Sequence, residues 1–174
     1  MIKILIPDDI SKLEKLETGD FVLLSGEVYT ARDQVHKNLV NKINNNEKIP
    51  VNLKNKIIFY AGPAPIKKNA KSAAIGPTTS YRMDKYTPDM LECGVKGFIG
   101  KGKRSKRIVK LIKKYKAVYF ITVGGIAAYL STKIEKMEAI AYKNLGPEAI
   151  YRIKVKDFPC IVAIDSDGND IFNR

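Results

Sequence analysis

Three hydroxyl residues and an arginine lie close together in the middle of the chain, directly after a Gly-Pro pair. Thr78, Thr79 and Ser80 are consecutive, and Arg82 follows two residues later. Hydroxyl groups and successive backbone N–H groups at the end of a strand can bind an anion, as turns and helix N-termini do. A guanidinium adds a planar fork that pairs with a carboxylate or a phosphate through two parallel hydrogen bonds. This spacing predicts an anion site in a loop lined with hydroxyls.

Two further cations stand where predicted strands end. Lys101 lies between two glycines after a short apolar run, and Arg32 precedes Asp33 at the start of a predicted helix. An arginine near the positive end of a helix is electrostatically unfavourable unless an anion or Asp33 compensates it. An ordinary loop with a solvated lysine explains Lys101 about as well as a binding role does. Both cations are therefore candidate anion ligands. Whether they meet at one site depends on how the fold arranges the strands that they follow.

The apolar patterns predict an α/β domain with a mixed sheet, and we expect residues 1–174 to form a single domain. Hairpin-like strands at both ends flank alternating strands and helices in the middle. A hairpin is predicted around Ser25-Gly26, and Phe158-Pro159 is predicted to break a strand. The predicted helices are 31–44, 87–94 with Thr87 as N-cap, 105–115 and a segment after Gly124-Gly125; the predicted strands are 2–6, 21–24, 27–30, 56–60, 72–75, 95–99, 117–122, 137–142, 149–155 and 160–164.

The formal net charge of +13 would suit a protein that binds nucleic acid, because Lys and Arg neutralise phosphates. The densest basic run, residues 101–116, includes Arg104 and falls largely on a predicted helix. Ile108, Leu111 and Ile112 form the apolar stripe of that helix, so a solvated outer face explains the basic residues at least as well. No aromatic RNA-binding motif, helix-turn-helix signature or zinc-finger spacing accompanies the charge. We expect no nucleic-acid partner and keep a basic nucleic-acid-binding protein as a remote alternative.

Other features argue against a membrane, secreted or metal-binding protein. No apolar run approaches the roughly 18 residues that span a membrane. The N-terminal MIKILIPDD lacks the layout of a signal peptide, so we expect a cytoplasmic location. Cys93 and Cys160 have no CxxC partner, and no metal ligand is assigned. The single histidine, His36, is left outside the catalytic set, and residues 165–170 lack the final glutamate of a calcium loop and are predicted to form a turn.

Five segments, in order along the chain, resemble a known family. They are TARD at 30–33, FYAGPAP at 59–65, GPTTSYRMD at 76–84, GFIGKG at 97–102 and TVGGIAAYL at 122–130. Together they resemble the C-terminal domain, or β subunit, of the iron-sulfur-dependent class I fumarate hydratases and the related L-tartrate dehydratases. The resemblance covers about residues 4–165. It implies the swivelling β/β/α fold, which in that family closes against a larger domain that carries the cofactor.

The resemblance also implies roles for the candidate residues. Arg32, Arg82 and Lys101 would bind the two carboxylates of the substrate, since burying a dianion without cations would cost on the order of several kcal/mol. Thr78 matches the position proposed as the general base, and contact of the same hydroxyl with a carboxylate is the alternative. A threonine hydroxyl is a poor base, so neighbouring charges or backbone donors must tune its pKa.

Neighbouring residues receive supporting roles from the same resemblance. Thr79 and Ser80 would shape the turn and donate N–H or hydroxyl hydrogens to the substrate. Asp84 is predicted to orient Arg82 and to take no part in the chemistry.

Members of the family use a 4Fe-4S cluster held by three cysteines, whereas this chain has only two cysteines, in unrelated contexts. The resemblance therefore implies a separate α subunit that binds the cluster. This chain would be inactive alone, and the complex is expected to be a heterotetramer of two α and two β chains. The implied reaction is the reversible hydration of fumarate to (S)-malate. Dehydration of L-tartrate is the alternative, because no residue named here separates the two substrates.

Overall fold

The computed structural model describes residues 1–65, 73–122 and 125–173. Within them, seven strands form one hydrogen-bonded sheet that is accompanied by four α-helices. The strands are β1 (Ile2–Ile6), β2 (Phe21–Thr30), β3 (Ile57–Phe59), β4 (Gly97–Gly100), β5 (Val118–Ile121), β6 (Ile134–Ala141) and β7 (Ile150–Ile164). The helices are α1 (Asp33–Asn44), α2 (Thr87–Glu92), α3 (Lys106–Tyr115) and α4 (Ala127–Thr132), and short 3₁₀ helices cover Ile10–Lys15, Ser80–Met83, Lys143–Glu148 and Ile171–Asn173.

The sheet is mixed, with the strand order β1-β2-β3-β4-β5-β7-β6. Strands β1 to β5 run parallel to one another, whereas β7 is antiparallel to its three partners, β2, β5 and β6. Because β7 pairs with both β2 and β5, the strands β2, β3, β4, β5 and β7 form a closed ring of hydrogen-bonded neighbours. The prediction of an α/β domain with a mixed sheet is confirmed. The parallel run places the carboxyl ends of β2 to β5 at one edge.

Alternation along the strands separates two apolar clusters. Ile57 and Phe59 of β3 belong to one cluster, and Ile58 between them belongs to the other, as the period of two requires. The second cluster also contains Val35 of α1 and Ile108 of α3, so the helices cover this face of the sheet. The helices predicted over 31–44 and 105–115 are both present, and Ser105 caps α3 by accepting a hydrogen bond from the Ile108 N–H.

The predicted hairpin around Ser25-Gly26 is wrong, because β2 is one continuous strand of ten residues. The two residues form an irregularity in the pairing with β7, where the register shifts between Leu24 and Gly26. On its other edge β2 pairs with β1, and Gly26 lies opposite Ile6. Partners on both edges hold the strand extended, so the local turn signal produces a bulge instead of a reversal.

The predicted break at Phe158-Pro159 is also wrong, since β7 runs through it for fifteen residues. On one edge of β7, Pro159 pairs with Leu23 of β2. On the other edge, β7 pairs with β6 up to Val155 and with β5 from Ile161 onward, so Pro159 lies between the two partners. Proline is tolerated in a sheet where a ladder donor is not required. The strand predicted over 72–75 is absent from residues 73–75, and residue 72 lies outside the described residues.

Replacing Gly26 by alanine tests the close approach of β1 and β2. Gly26 has φ +112°, and a Cβ atom there would collide with the backbone carbonyl of Ile6. We expect Gly26→Ala to lower the free energy of unfolding by more than about 3 kcal/mol, measured by urea denaturation. Gly146→Ala is the control, because Gly146 also has positive φ but faces open space, and it should lose only about 1–3 kcal/mol. Equal losses would contradict the steric argument.

Candidate active site

The sequence motifs meet at the edge of the sheet where four parallel strands end. Arg32 follows β2, Gly62 follows β3, Lys101 follows β4 and Thr122 follows β5. Backbone pairing continues past the strand ends, since the Thr122 N–H donates to the Gly100 carbonyl at 3.1 Å. Ligands of α/β sheets bind outside the carboxyl ends of the strands. Residues 123 and 124 of the fifth motif lie outside the described residues.

Residues 78–80, Thr78, Thr79 and Ser80, form a loop that we call the hydroxyl loop. It packs directly on the ends of β3 and β4. The Thr78 N–H donates to the Tyr60 carbonyl at 2.6 Å, and the Ser80 N–H donates to the Lys101 carbonyl at 3.1 Å. Thr79 forms a parallel bridge with Lys101. Thr78 is half-buried, Thr79 is exposed and Ser80 is fully buried. The structure therefore brings Thr78, Thr79 and Ser80 beside Lys101, but only the two threonines retain solvent-accessible surface.

Arg32 lies over the glycine of the FYAGPAP motif. A Cβ atom at Gly62 would stand 2.9 Å from the Arg32 Nη1 atom, so a larger residue there would push the guanidinium away. Among the described residues, the one ion pair of Arg32 is a long contact of 3.9 Å with Glu148. Its Nε atom is buried and has no hydrogen-bond partner among the described residues. Arg32 therefore keeps a donor that a bound anion could satisfy.

Arg82 is paired with Asp33 and not with Asp84, so the prediction that Asp84 orients Arg82 is wrong. The Arg82 Nη2 atom donates to Asp33 Oδ2 at 3.1 Å, and both side chains are partly exposed. This contact joins the first turn of α1 to the hydroxyl loop. Lys101 is exposed and makes no ion pair within the part of the chain that the structure describes. Its exposed ammonium group can meet an anion at this edge.

Asp84 holds a buried arginine instead. The Arg104 Nε atom donates to Asp84 Oδ1 at 2.6 Å, and the side chain of Arg104 is fully buried. Arg104 was predicted to belong to the solvated basic run, which is wrong for this residue. Its guanidinium carbon lies 5.1 Å from the Tyr119 ring centroid and 5.3 Å from the Tyr60 ring centroid. Burial opposes its charge, but Tyr60 and Asp84 raise the pKa of Arg104 above its ordinary value.

Thr87 completes this network and does not act as the predicted N-cap. It is the first residue of α2, and Tyr86 occupies the cap position. The Thr87 hydroxyl donates to the Met83 carbonyl at 2.9 Å and accepts from Arg104 Nη2 at 2.6 Å. The hydroxyl therefore connects α2 to the buried guanidinium.

His36 is buried near the same edge and contacts the backbone of Arg32. Its Nδ1 atom lies 2.8 Å from the Arg32 carbonyl, and its ring stacks on Tyr86 with centroids 5.7 Å apart. Because a carbonyl only accepts, Nδ1 carries the proton in the neutral ring. Burial, reinforced by the charge of Arg104, lowers the pKa of His36 to about 4. The ring is therefore neutral at physiological pH.

One cavity adjoins the candidate site. It has a volume of about 540 Å³ and is lined by Asp33, Tyr81, Arg82, Asp84, Lys85, Ser105 and Arg107. A larger cavity of about 1090 Å³ lies between the Glu14–Thr18 segment and the Asp165–Asp170 turn. The Asp165 carboxylate in it accepts hydrogen bonds from Thr18 and from the backbone of Asp167 and Asn169. The predicted turn is confirmed, and the larger cavity contains none of the predicted site residues.

The residues present do not fit an iron-sulfur cluster, which requires several cysteine thiolates. The chain has two cysteines, and burial raises the pKa of both Cys93 and Cys160. In the described ranges, no group of three or more His, Cys, Asp or Glu side chains could hold a metal ion. Nor does any described helix combine the length and apolarity needed to cross a bilayer.

Sequence reasoning missed the partners of the site residues. Asp33 was visible beside Arg32 in TARD, but its pairing with Arg82 joins positions that are 49 residues apart. Glu148 and Tyr119 carried no motif signal. Tyr119 could be assigned to the helix-covered face from strand alternation, but nothing local indicated that its hydroxyl reaches Ser80 at 2.9 Å.

Comparison with known proteins places these motifs in context. A family model described as Fumarase C-terminus matches residues 2–174. A putative L(+)-tartrate dehydratase subunit beta from Methanocaldococcus jannaschii is 37% identical over 168 residues, which cover 93% of this chain and 86% of the relative. The aerobic class I fumarate hydratase of Escherichia coli K12 is 35% identical over 168 residues, covering 95% of this chain but 30% of the relative. Fumarate hydratase 2 of Leishmania major is 35% identical, and the match covers 94% of this chain and 29% of that protein.

The neutral state of His36 predicts a pH dependence of stability. The pKa of about 4 in the folded chain lies below the ordinary 6.5, so the unfolded chain binds the proton first. The contribution of His36 to the free energy of unfolding is fully present above pH 6.5 and is lost as the pH falls toward 4, by on the order of 3 kcal/mol. Urea denaturation at pH 7 and pH 4.5 should show this loss.

His36→Phe is the comparison variant, because it keeps a ring against Tyr60 and Tyr86 but cannot be protonated. Its stability should change less between the two pH values than that of the unaltered chain. The other groups facing the ring, Asp33 and Arg104, are common to both proteins. Parallel pH curves would show that His36 is not the titrating group.

Proposed function

Because the chain belongs to the Fumarase C-terminus family, we propose that it is the β subunit of a two-subunit iron-sulfur fumarate hydratase. The complex interconverts fumarate and (S)-malate. In this proposal the β subunit supplies cations and hydroxyl groups to the dicarboxylate, and the α subunit binds the 4Fe-4S cluster.

One observation carries the proposal: three cations and two accessible hydroxyl residues lie at the ends of adjacent parallel strands or in the loop and 3₁₀ turn that pack on them. Arg32, Arg82 and Lys101 provide the positive charge, and Thr78 and Thr79 provide the hydroxyls. A dicarboxylate carries two negative charges and needs several charge-assisted hydrogen bonds when it leaves water. The residue types at this edge match that requirement.

The ion pairs seen without substrate are of a kind that a substrate carboxylate can replace. The Arg82–Asp33 pair is partly exposed, and pairs of this type contribute only about 0–1 kcal/mol. The Arg32–Glu148 contact is long, at 3.9 Å. A substrate carboxylate therefore gains two guanidinium partners at little cost.

Thr78 is the proposed general base for removal of the proton next to the substrate carboxylate. Its backbone is fixed by the bond to the Tyr60 carbonyl, and its hydroxyl makes no hydrogen bond to any described residue. A threonine hydroxyl can accept this proton only after it has lost its own proton to solvent, and the cations at this edge would stabilise the resulting alkoxide. The alternative role for Thr78 is direct contact with a carboxylate. Thr79 adds an exposed hydroxyl donor for the substrate. Ser80 is buried and contributes by bonding to the Lys101 backbone.

The need for a partner rests on the cysteine count and on the length of the relatives. Two cysteines cannot supply the thiolates of the cluster. The chain spans about 30% of the Escherichia coli class I enzyme but 86% of the Methanocaldococcus jannaschii beta subunit. We propose that a separate α subunit corresponds to the remaining part of the longer enzymes and that two copies of each chain assemble.

A tartrate dehydratase β subunit is the second candidate, and one observation favours it. A relative that is matched along 86% of its own length is named as a putative L(+)-tartrate dehydratase subunit beta. Tartrate differs from malate by one added hydroxyl, and the α subunit would build part of the pocket that receives it. The substrate must therefore be determined on the complex.

Reconstitution tests both candidates. Fumarate hydration and L-tartrate dehydration should be assayed anaerobically with this chain alone, with a cluster-bearing α subunit alone and with the mixture. We expect activity only in the mixture, because the cations and the cluster lie on different chains. Full activity of this chain alone would contradict the partner argument, and a fully clustered but inactive complex would contradict both substrates.

Replacing Lys101 by methionine tests the cation assignment in the active complex. We expect Lys101→Met to lower kcat/KM by roughly 30-fold or more, corresponding to about 2 kcal/mol for one charge-assisted contact. Lys114→Met is the matched control, since it removes the same charge from an exposed position on α3. Equal effects of the two variants would show that only the net charge matters.

A further inference from the structure

We propose that Ser80 and Tyr119 form a buried hydroxyl clamp that positions Lys101. The inference rests on the proposed function, because it treats Lys101 as a substrate ligand. In this assignment Ser80 and Tyr119 are positioning residues, and Ser80 acts on the substrate through Lys101.

The clamp grips the Gly-Lys-Gly turn at three backbone groups. The Lys101 N–H donates to Ser80 Oγ at 3.2 Å, and the Lys101 carbonyl accepts from the Ser80 N–H at 3.1 Å. The Tyr119 hydroxyl lies 2.8 Å from the Gly102 carbonyl and 2.9 Å from Ser80 Oγ. The two side chains thereby hold the Lys101 N–H and the Gly102 carbonyl, and the Ser80 backbone holds the Lys101 carbonyl.

The positions of the protons follow from the donors available. The Tyr119 hydroxyl is the donor in both of its contacts, so its single proton is shared between the Gly102 carbonyl and Ser80 Oγ. Ser80 Oγ accepts from the Tyr119 hydroxyl and from the Lys101 N–H.

Burial makes the clamp difficult to replace by water. Ser80 and Tyr119 have no exposed surface, and burial raises the pKa of the Tyr119 phenol, so that it stays neutral and keeps its proton. A Cβ atom at Gly100 would collide with Ser80 Oγ, which explains why the residue before Lys101 is a glycine. A broken hydrogen bond here would leave a polar group unpaired in a low-dielectric interior.

The clamp acts on the backbone and leaves the lysine side chain free. Lys101 lies between two glycines, and Gly102 has φ +77°, so the turn has little conformational restraint of its own. The Lys101 ammonium is exposed, whereas the backbone beneath it is fixed from the inside. Loss of the clamp should therefore disturb the placement of the ammonium, in addition to the stability cost of the unpaired buried groups.

Tyr119→Phe in the reconstituted complex tests the clamp, because it removes one oxygen and keeps the ring beside Arg104. We expect kcat/KM to fall roughly tenfold or more, mainly through a higher KM, since Lys101 would be misplaced. In the Lys101→Met background the same substitution should have almost no further effect. Tyr29→Phe is the control, because within the described part of the chain the Tyr29 phenol bonds to the Glu27 side chain alone, at 3.2 Å. Ser80→Ala removes the other half of the clamp and should reproduce the pattern.

Hydrogen exchange of the Lys101 amide tests the clamp independently of the activity. Tyr119→Phe and Ser80→Ala should speed exchange at this amide in the isolated chain, and Tyr29→Phe should not. Unchanged exchange, or full additivity with Lys101→Met, would overturn the inference. Accelerated exchange in a complex that is inactive on both substrates would refute the proposed function while leaving the clamp in place.

Discussion

The buried ion pair of Asp84 and Arg104 is the constraint on which the candidate site depends. The guanidinium has no exposed surface and lies beside the rings of Tyr60 and Tyr119. An ion taken from water at this depth persists only with a partner of opposite charge, and removal of one partner leaves a costly unpaired charge. Asp84 also accepts the Ser105 N–H at 2.8 Å, so one carboxylate ties the hydroxyl loop to the start of α3.

The accessible groups of the site are carried by backbone that this buried layer fixes. The Tyr60 carbonyl holds the Thr78 N–H, and the Tyr119 hydroxyl reaches the Gly102 carbonyl. His36 adds the equivalent contact to the Arg32 carbonyl. The charged groups of Lys101 and Arg82 are exposed and that of Arg32 is partly buried, whereas the backbone of Arg32 and Lys101 is fixed by buried side chains. The site therefore combines a rigid backbone with ion pairs that can exchange partners.

The basic composition has two physical origins in this fold. Most of the run that follows Lys101 lies on the outer face of α3, where solvated lysines surround the buried Ile108 and Ile112. Arg104 has the opposite environment although it lies in the same run. Its position just before α3 directs it inward, where an acidic side chain and aromatic rings receive it. A count of charges along the sequence therefore mixes solvent-facing groups with a structural cation.

The sequence by itself determined the elements whose pattern is local. The periodicity of residues 31–44 and 105–115 defined α1 and α3, and the ordered motifs identified Arg32, Arg82 and Lys101 as candidates. Only the tertiary structure decided how they are paired: Asp33 with Arg82, Asp84 with Arg104, and Ser80 with Tyr119. It also kept β2 and β7 continuous through their turn signals. The physical reason is that apolar period and turn chemistry act between near neighbours, whereas ion pairs, buried hydroxyls and strand partners depend on which distant segments fold against them.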